Sequence, residues 1–357
     1  MSVLTSTQNT PLPILEPEIS IIIPCYNEER FIGGVLERLV QQSCDARYEI
    51  VIVDGRSTDG TRQAIESFAS ENSEISLRVV DNPARNIPTA LNLGIRAARG
   101  ELIVRMDAHS APSINYVARC TELLREQRAA IVGMPWHIKP GDQSLMARAI
   151  ALGVSHPLGA GDAKYRFSGS ASQFVDTVPF GAFHKSLWEE LGGFNEALLA
   201  NEDYDFNYRT RKSGGKVLLD NEAHSDYFAR SSLVELAKQY YRYGLWKARM
   251  VKLHPTSIKL RQLIPPLFVM SLPVLAGLSL VFPVLGWLLL AMLSFYLVVI
   301  VAGSLQSASR AHDLKLALYL PAIFVVIHFC WGTGFVVGLA LPQSQKPDLD
   351  RVSTTSR

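Results

Sequence analysis

The chain has 357 residues and a net charge of +2, from 35 basic and 33 acidic side chains. That length suits one large domain or two ordinary ones, and the balanced charge argues against a broad nucleic-acid-binding surface. Cys25, Cys44, Cys120 and Cys330 form no Cys-x-x-Cys pair and no metal-ligand spacing, which argues against a disulfide framework and a zinc site.

Residues 1–17 are polar and proline-dotted, without the basic-then-apolar pattern of a signal peptide, so they read as a flexible tail and place the first domain in the cytosol. Ile19–Pro24 and Glu49–Asp54 are short, β-branched and almost wholly apolar. Such runs fit strands covered on both faces of a parallel sheet. Glu28–Gln42 and Thr58–Ser70 have helical apolar spacing, and Ser76–Asp81, Ile87–Ala98 and Glu101–Met106 continue the alternation. Strand, helix, strand, helix, strand predicts an α/β fold with a doubly wound sheet.

Ligands in such sheets bind beyond the carboxyl ends of the strands. Three of those ends carry polar clusters here: Pro24 to Glu28, Asp54 to Gly60, and Asp107 to His109. Carboxylates at adjacent strand ends repel unless a cation or ligand offsets them. Asp59 reads more simply as a helix cap. No GxGxxG or GxxxxGKS motif follows the first strand, so a nucleotide would be held by side chains and a metal. On extended backbone Asp107 and His109 would point the same way. A carboxylate and an imidazole together suit manganese, magnesium or a similar divalent ion completed by a diphosphate.

Glu202, Asp203 and Asp205 open a predicted helix ending at Arg211 or Lys212. Acids there favour the helix dipole, which accounts for one or two of them. A carboxylate placed there could take a proton from an acceptor hydroxyl, and Asp203 is the candidate for that role. Glu202 is a candidate for binding acceptor hydroxyls, and Asp205 reads as structural. Gln239 and Arg242 share a helix face, from which Arg242 would reach a phosphate. The same helix, about 231–250, also reads as an amphipathic helix lying on a membrane surface with Leu233, Leu236, Tyr240 and Tyr243 inward. His224 is a candidate third metal ligand, or a capping or core histidine.

Near residue 262 the composition changes. Leu263–Phe282, Pro283–Gly303 and Leu316–Leu341 contain no Asp, Glu, Lys or Arg, and each has roughly the ~20 residues that cross a bilayer. Pro265, Pro266 and Pro273 weaken the first block as a straight helix, leaving two spans or three. Basic residues before the first block and between the second and third put both groups in the cytoplasm. The expected division is a tail at 1–17, a catalytic domain at 18–250, a membrane region at 251–342 and a tail at 343–357.

The succession IPCYNE, VDGRSTDGT, GELIVRMD with its Asp-x-His, GGFNEALLANEDYDFNYR and QYYRY resembles the family 2 inverting glycosyltransferases of GT-A fold, from about Ile19 to Gly244. Within that family the Asp-Ala-His variant and the membrane blocks are similar to bacterial exopolysaccharide glucosyltransferases of the succinoglycan ExoA type. The resemblance implies a mostly parallel GT-A sheet. It implies that Pro24, Tyr26 and Glu28 line the nucleotide pocket, that Asp54 binds the uracil edge, that Asp107 holds the metal and that Asp203 is the base. It also implies an enzyme of the bacterial inner membrane facing the cytoplasm. That enzyme would move one sugar, glucose, from a UDP-sugar to a polyprenyl-diphosphate-linked acceptor, with an exopolysaccharide assembly complex as a further partner. A processive polysaccharide synthase and a non-catalytic nucleotide-sugar-binding subunit are the alternatives. His109 stands where the usual pattern has a second Asp, and Tyr243 where processive synthases have Trp.

Overall fold

The computed structural model describes residues 16–167 and 171–342, so nearly all of the two expected tails lies outside the described residues. In chain order the first elements are β1 (Ile19–Cys25), α1 (Ile32–Val40), β2 (Tyr48–Asp54), α2 (Thr61–Glu71), β3 (Ser76–Asp81), α3 (Ile87–Ala97) and β4 (Leu102–Arg105). The strands fall where the apolar runs predict. Both helices α1 and α2 start three or four residues later than their spacing suggests, because the residues before them interlock. Asn27, at φ 55°, donates its N–H to Ser57 Oγ at 2.9 Å. Its own Oδ1 accepts from the Thr58 N–H, and the Glu28 N–H reaches Thr61 Oγ1. Local side-chain bonds of this kind compete with helix formation.

The middle of the chain supplies β5 (Ala111–Pro112), α4 (Tyr116–Arg125), β6 (Ile131–Gly133), β7 (Trp136–Lys139), α5 (Leu145–Val154) and α6 (Pro157–Ala160). It continues with β8 (Gln173–Phe174), β9 (Ala182–His184), α7 (Lys185–Glu190), α8 (Glu202–Lys212), β10 (Val217–Leu219) and β11 (Ser225–Phe228). The main sheet runs β3-β2-β1-β4-β9-β6-β10-β8. Its first four strands are parallel, whereas β9 lies antiparallel to both β4 and β6. Ile19, Ile21, Ile22 and Ile23 are fully buried, as strands covered on both faces require. A second, three-stranded sheet, β5-β11-β7, sits beside the carboxyl-end loops.

Four long helices close the chain: α9 (Leu233–Leu253), α10 (Leu260–Ser279), α11 (Pro283–Arg310) and α12 (Leu320–Ala340). The last three are long and apolar enough to cross a membrane, and the chain is membrane-associated. Leu260, Trp287 and Phe295 point large apolar surfaces outward, each more than two-thirds exposed, which water would penalise and lipid would not. The three prolines leave α10 unbroken. Pro265 and Pro266 fall in its second turn, so the carbonyls that lose an N–H partner are those of Arg261 and Gln262, in the first turn of the helix.

Helix α9 departs from the surface-lying amphipathic helix expected at about 231–250. Its second half, Gly244–Met250, is buried all round, wedged between the catalytic domain and α12. Glycines make the approach close. A Cβ at Gly244 would run into the Trp331 carbonyl, one at Gly334 into that of Tyr241, and one at Gly338 into that of Leu245. Small residues four apart let helix backbones touch in this way. Replacing Gly334 by Val should lower stability by about 1–3 kcal/mol or more, read as an earlier thermal unfolding midpoint in detergent. An unchanged midpoint would show that the two helices are not in this contact.

Candidate active site

At the ends of β1 and β2 the interlocked loops form a wall. Tyr26 packs on Gly55, where any Cβ would come within 2.9 Å of its ring, and the Arg85 guanidinium lies 5.5 Å from the Tyr26 ring centroid. Asp54 has no exposed surface. Its carboxylate accepts from Ser57 Oγ at 2.6 Å, from the Ser57 N–H and from Arg62 Nε at 2.6 Å. The structure therefore places Asp54 beneath the loop, shaping it, and gives it no face toward a uracil edge. Asp59 caps α2 by accepting from the Thr61 N–H and hydroxyl. These bonds to the charged form hold its carboxyl below the usual range against a burial penalty.

The centre of the site is a residue the sequence motifs did not mark. Arg105, the last residue of β4, is 4 % exposed. Its Nη1 pairs with Glu202 Oε1 at 3.0 Å and with Asp203 Oδ1, and its Nη2 lies 3.3 Å from Asp107 Oδ1. Glu202 and Asp203 are presented by the first turn of α8, which follows Asn201 in the left-handed region at φ 64°. Behind them Asn92 holds the preceding loop, accepting from Trp188 Nε1 and the Phe194 N–H. Asp205 is fully buried between Arg209 and His254, each at 2.8 Å, and is structural.

Three carboxylates around one guanidinium leave the cluster with excess negative charge. Burial raises the Asp203 carboxyl to about 7; Arg105 opposes the rise, while Glu202 and Asp107 add to it. Arg105 itself is held charged by the same three acids against its burial penalty. A carboxylate with a pKa near neutrality is suited to act as a general base.

The strand expected to extend to Met106 ends at Arg105, and Asp107 opens a turn closed by the Ser110 N–H and Oγ on the Asp107 carbonyl. Asp107 and His109 are thus not alternate residues of a strand: the first faces Arg105, and the second has Nδ1 3.2 Å from Glu28 Oε1. Pro24 lies near the carboxyl end of β1, opposite Val53 of β2. His224 is drawn elsewhere. Parallel pairing of β11 with β7 stacks its ring on His137 at 3.8 Å, with Asp226 at 4.0 Å. Those three are the one group of three potential metal donors clustered among the described residues; His224 does not join Asp107 and His109 in such a group. Gln239 donates to the Tyr227 hydroxyl at 3.0 Å, and Arg242 Nη2 to the Leu199 carbonyl at 3.1 Å. Arg242 therefore braces the loop that leads into Asp203.

A twisted sheet with carboxylates gathered beyond β4 and at the start of a following helix defines a glycosyltransferase of GT-A fold. Residues 20–192 match the family described as Glycosyl transferase family 2, and the chain carries a domain of that family. It is 28% identical over 327 residues to the succinoglycan biosynthesis protein ExoA of Rhizobium meliloti (strain 1021), covering 88% of this chain and 93% of that one. It is also 28% identical over 239 residues to a dolichyl N-acetyl-alpha-D-glucosaminyl phosphate 3-beta-D-2,3-diacetamido-2,3-dideoxy-beta-D-glucuronosyltransferase of Methanococcus voltae, covering 66% of this chain and 74% of that one. Among solved structures it shares its fold with the mannosyltransferase PcManGT of Pyrobaculum calidifontis, in complex with GDP-Man and Mn2+. That match has a TM-score of 0.57 and 21% identity, and covers 94% of this chain and 90% of that one. The non-catalytic alternative falls with these matches.

The electrostatics of Asp203 set a pH dependence. Its carboxyl must lose a proton to act as base, so turnover should rise with pH through about 7. Replacing Arg105 by Gln removes the charge that opposes the rise and should move this limb to higher pH. It should also cost about 3–5 kcal/mol of stability, as expected when one partner of a buried ion cluster is lost. A pH–rate profile of both proteins, flat across neutrality, would contradict the assignment.

Proposed function

We propose that the enzyme transfers a single sugar, glucose in the first instance, from a UDP-sugar to a polyprenyl-diphosphate-linked glycan in exopolysaccharide assembly. The single observation that carries the reading is the Arg105 cluster, which puts Asp203, with its raised carboxyl, at the carboxyl edge of the sheet. The nucleoside lies against Pro24, Tyr26 and the loop that Asp54 shapes from below. Arg105 fixes the direction of the Asp203 carboxylate, which takes the acceptor hydroxyl's proton as that oxygen attacks the anomeric carbon from the face opposite UDP. Glu202, held by the same guanidinium, orients the acceptor. The anomeric centre inverts through an oxocarbenium-like transition state.

A divalent cation fits this site. Manganese and magnesium are commonly held through one or two carboxylates and completed by substrate phosphates, and Asp107, about a fifth exposed on its side chain, offers such a carboxylate in a cluster with excess negative charge. His109, whose Nδ1 contacts Glu28, is the second residue that would serve the same cation, in the usual carboxylate–histidine arrangement. When bound, the cation would neutralise charge on the departing diphosphate.

The acceptor class is supported by the names of the relatives, which concern succinoglycan and a dolichyl-linked sugar phosphate, and by the three apolar helices. Basic residues flanking those helices support an inner-membrane enzyme with its catalytic domain in the cytoplasm. Replacing Asp203 by Asn should lower transfer by about a thousandfold or more while leaving UDP-sugar affinity within about twofold. Wild-type turnover in that variant would remove Asp203 as the base.

A further inference from the structure

A partly open cavity of about 450 Å³ lies between β7 and the end of α5, lined among others by Trp136, His137, Lys139, Ser155, Arg166 and Phe167. Among the described residues no acidic side chain lines it. Arg166 is 9 % exposed and forms no ion pair among the described residues. Its contacts are the Tyr240 hydroxyl at 3.5 Å and the rings of Trp136 and Tyr165, at 5.6 and 5.8 Å from the guanidinium carbon. Ring faces compensate a buried cation only in part, and an unpaired buried charge is costly. Trp136, also 9 % exposed, has a buried Nε1 with no hydrogen-bond partner among the described residues. A buried guanidinium without a carboxylate and an indole N–H without an acceptor line one cavity, with the exposed Lys139 at its side. Their missing partner is an anion with several acceptor oxygens.

Two contacts fix where this cavity stands. Trp136 packs against Phe180 at 5.5 Å, and the Arg105 guanidinium lies 5.8 Å over the same Phe180 ring. One aromatic side chain therefore separates the cavity from the Asp203 cluster. On its other side, α5 and α6 pack on the first turns of α12. A Cβ at Gly153 would meet Ile323 at 2.7 Å, and the His156 ring lies 5.4 Å from Phe324. The cavity thus opens between the catalytic carboxylates and the end of an apolar helix.

We propose that it binds the phosphate groups of the lipid-linked acceptor, with Arg166 and Lys139 pairing with phosphate oxygens and Trp136 Nε1 donating to one of them. The lipid would leave along α12 and the sugar would extend past Phe180 toward Asp203. This rests on the lipid-linked acceptor named above. The test uses the full chain in detergent with undecaprenyl diphosphate, undecaprenol and inorganic diphosphate as probes, and UDP as the control. Lys139→Ala and Arg166→Gln should each bind undecaprenyl diphosphate at least tenfold more weakly than wild type, with UDP affinity unchanged. Should Arg166→Gln fail to fold, Lys139→Ala decides alone. Equal binding by the folded variants would overturn the proposal. So would undecaprenol binding as tightly as the diphosphate, or inorganic diphosphate binding as tightly as the lipid. Variants that lose the lipid in a protein that releases UDP from no donor would support the cavity and contradict the donor reading instead.

Discussion

A single buried guanidinium organises the catalytic half of this molecule. Arg105 leaves β4 inside the protein, where an unpaired charge is untenable, and it is compensated by acids from two directions: Asp107 in the next turn and Glu202 and Asp203 across the sheet. That requirement ties the start of α8 to the end of β4. It also keeps three carboxylates closer than their mutual repulsion would otherwise allow. The consequence for chemistry is the raised Asp203 carboxyl, poised between acid and base near neutral pH.

The membrane half grips the same helix from behind. His254 meets Asp205, Thr256 meets the Tyr208 hydroxyl at 2.6 Å, and the Ser257 carbonyl accepts from Tyr204. Lys247 on α9 lies 3.7 Å over the Tyr204 ring and donates to that carbonyl; its burial lowers its ammonium pKa to about 7. Helix α9 is in turn locked to α12 through Gly244, Gly334 and Gly338. A continuous run of packed residues therefore joins an apolar helix to the helix that bears Asp203.

Much of this was legible in the sequence, and the parts that were not share a cause. β1 and β2 were readable because apolar runs report burial directly, and the three apolar helices because length and composition suffice. The five ordered motifs pointed to the family and to Asp107, Glu202 and Asp203. What escaped was pairing between distant segments. Arg105 looked like one basic residue near the end of a strand; its only signal was a charge closing a buried apolar run, two residues before an aspartate. The placement of His224 depends on β11 lying beside β7, and that of Asp54 on Arg62 and Ser57 filling its oxygens. The burial of α9 was not legible, because its one glycine, Gly244, reads only as a weak helix former until α12 is packed against it.

The proposed reaction is a single displacement driven by Asp203. The most direct measurement is the anomeric configuration of the first product, read from the proton coupling of the new linkage after incubation with a UDP-α-sugar and a polyprenyl-linked acceptor. The geometry predicts a β-linkage, inverted from the donor. A product that retains the α configuration would contradict it.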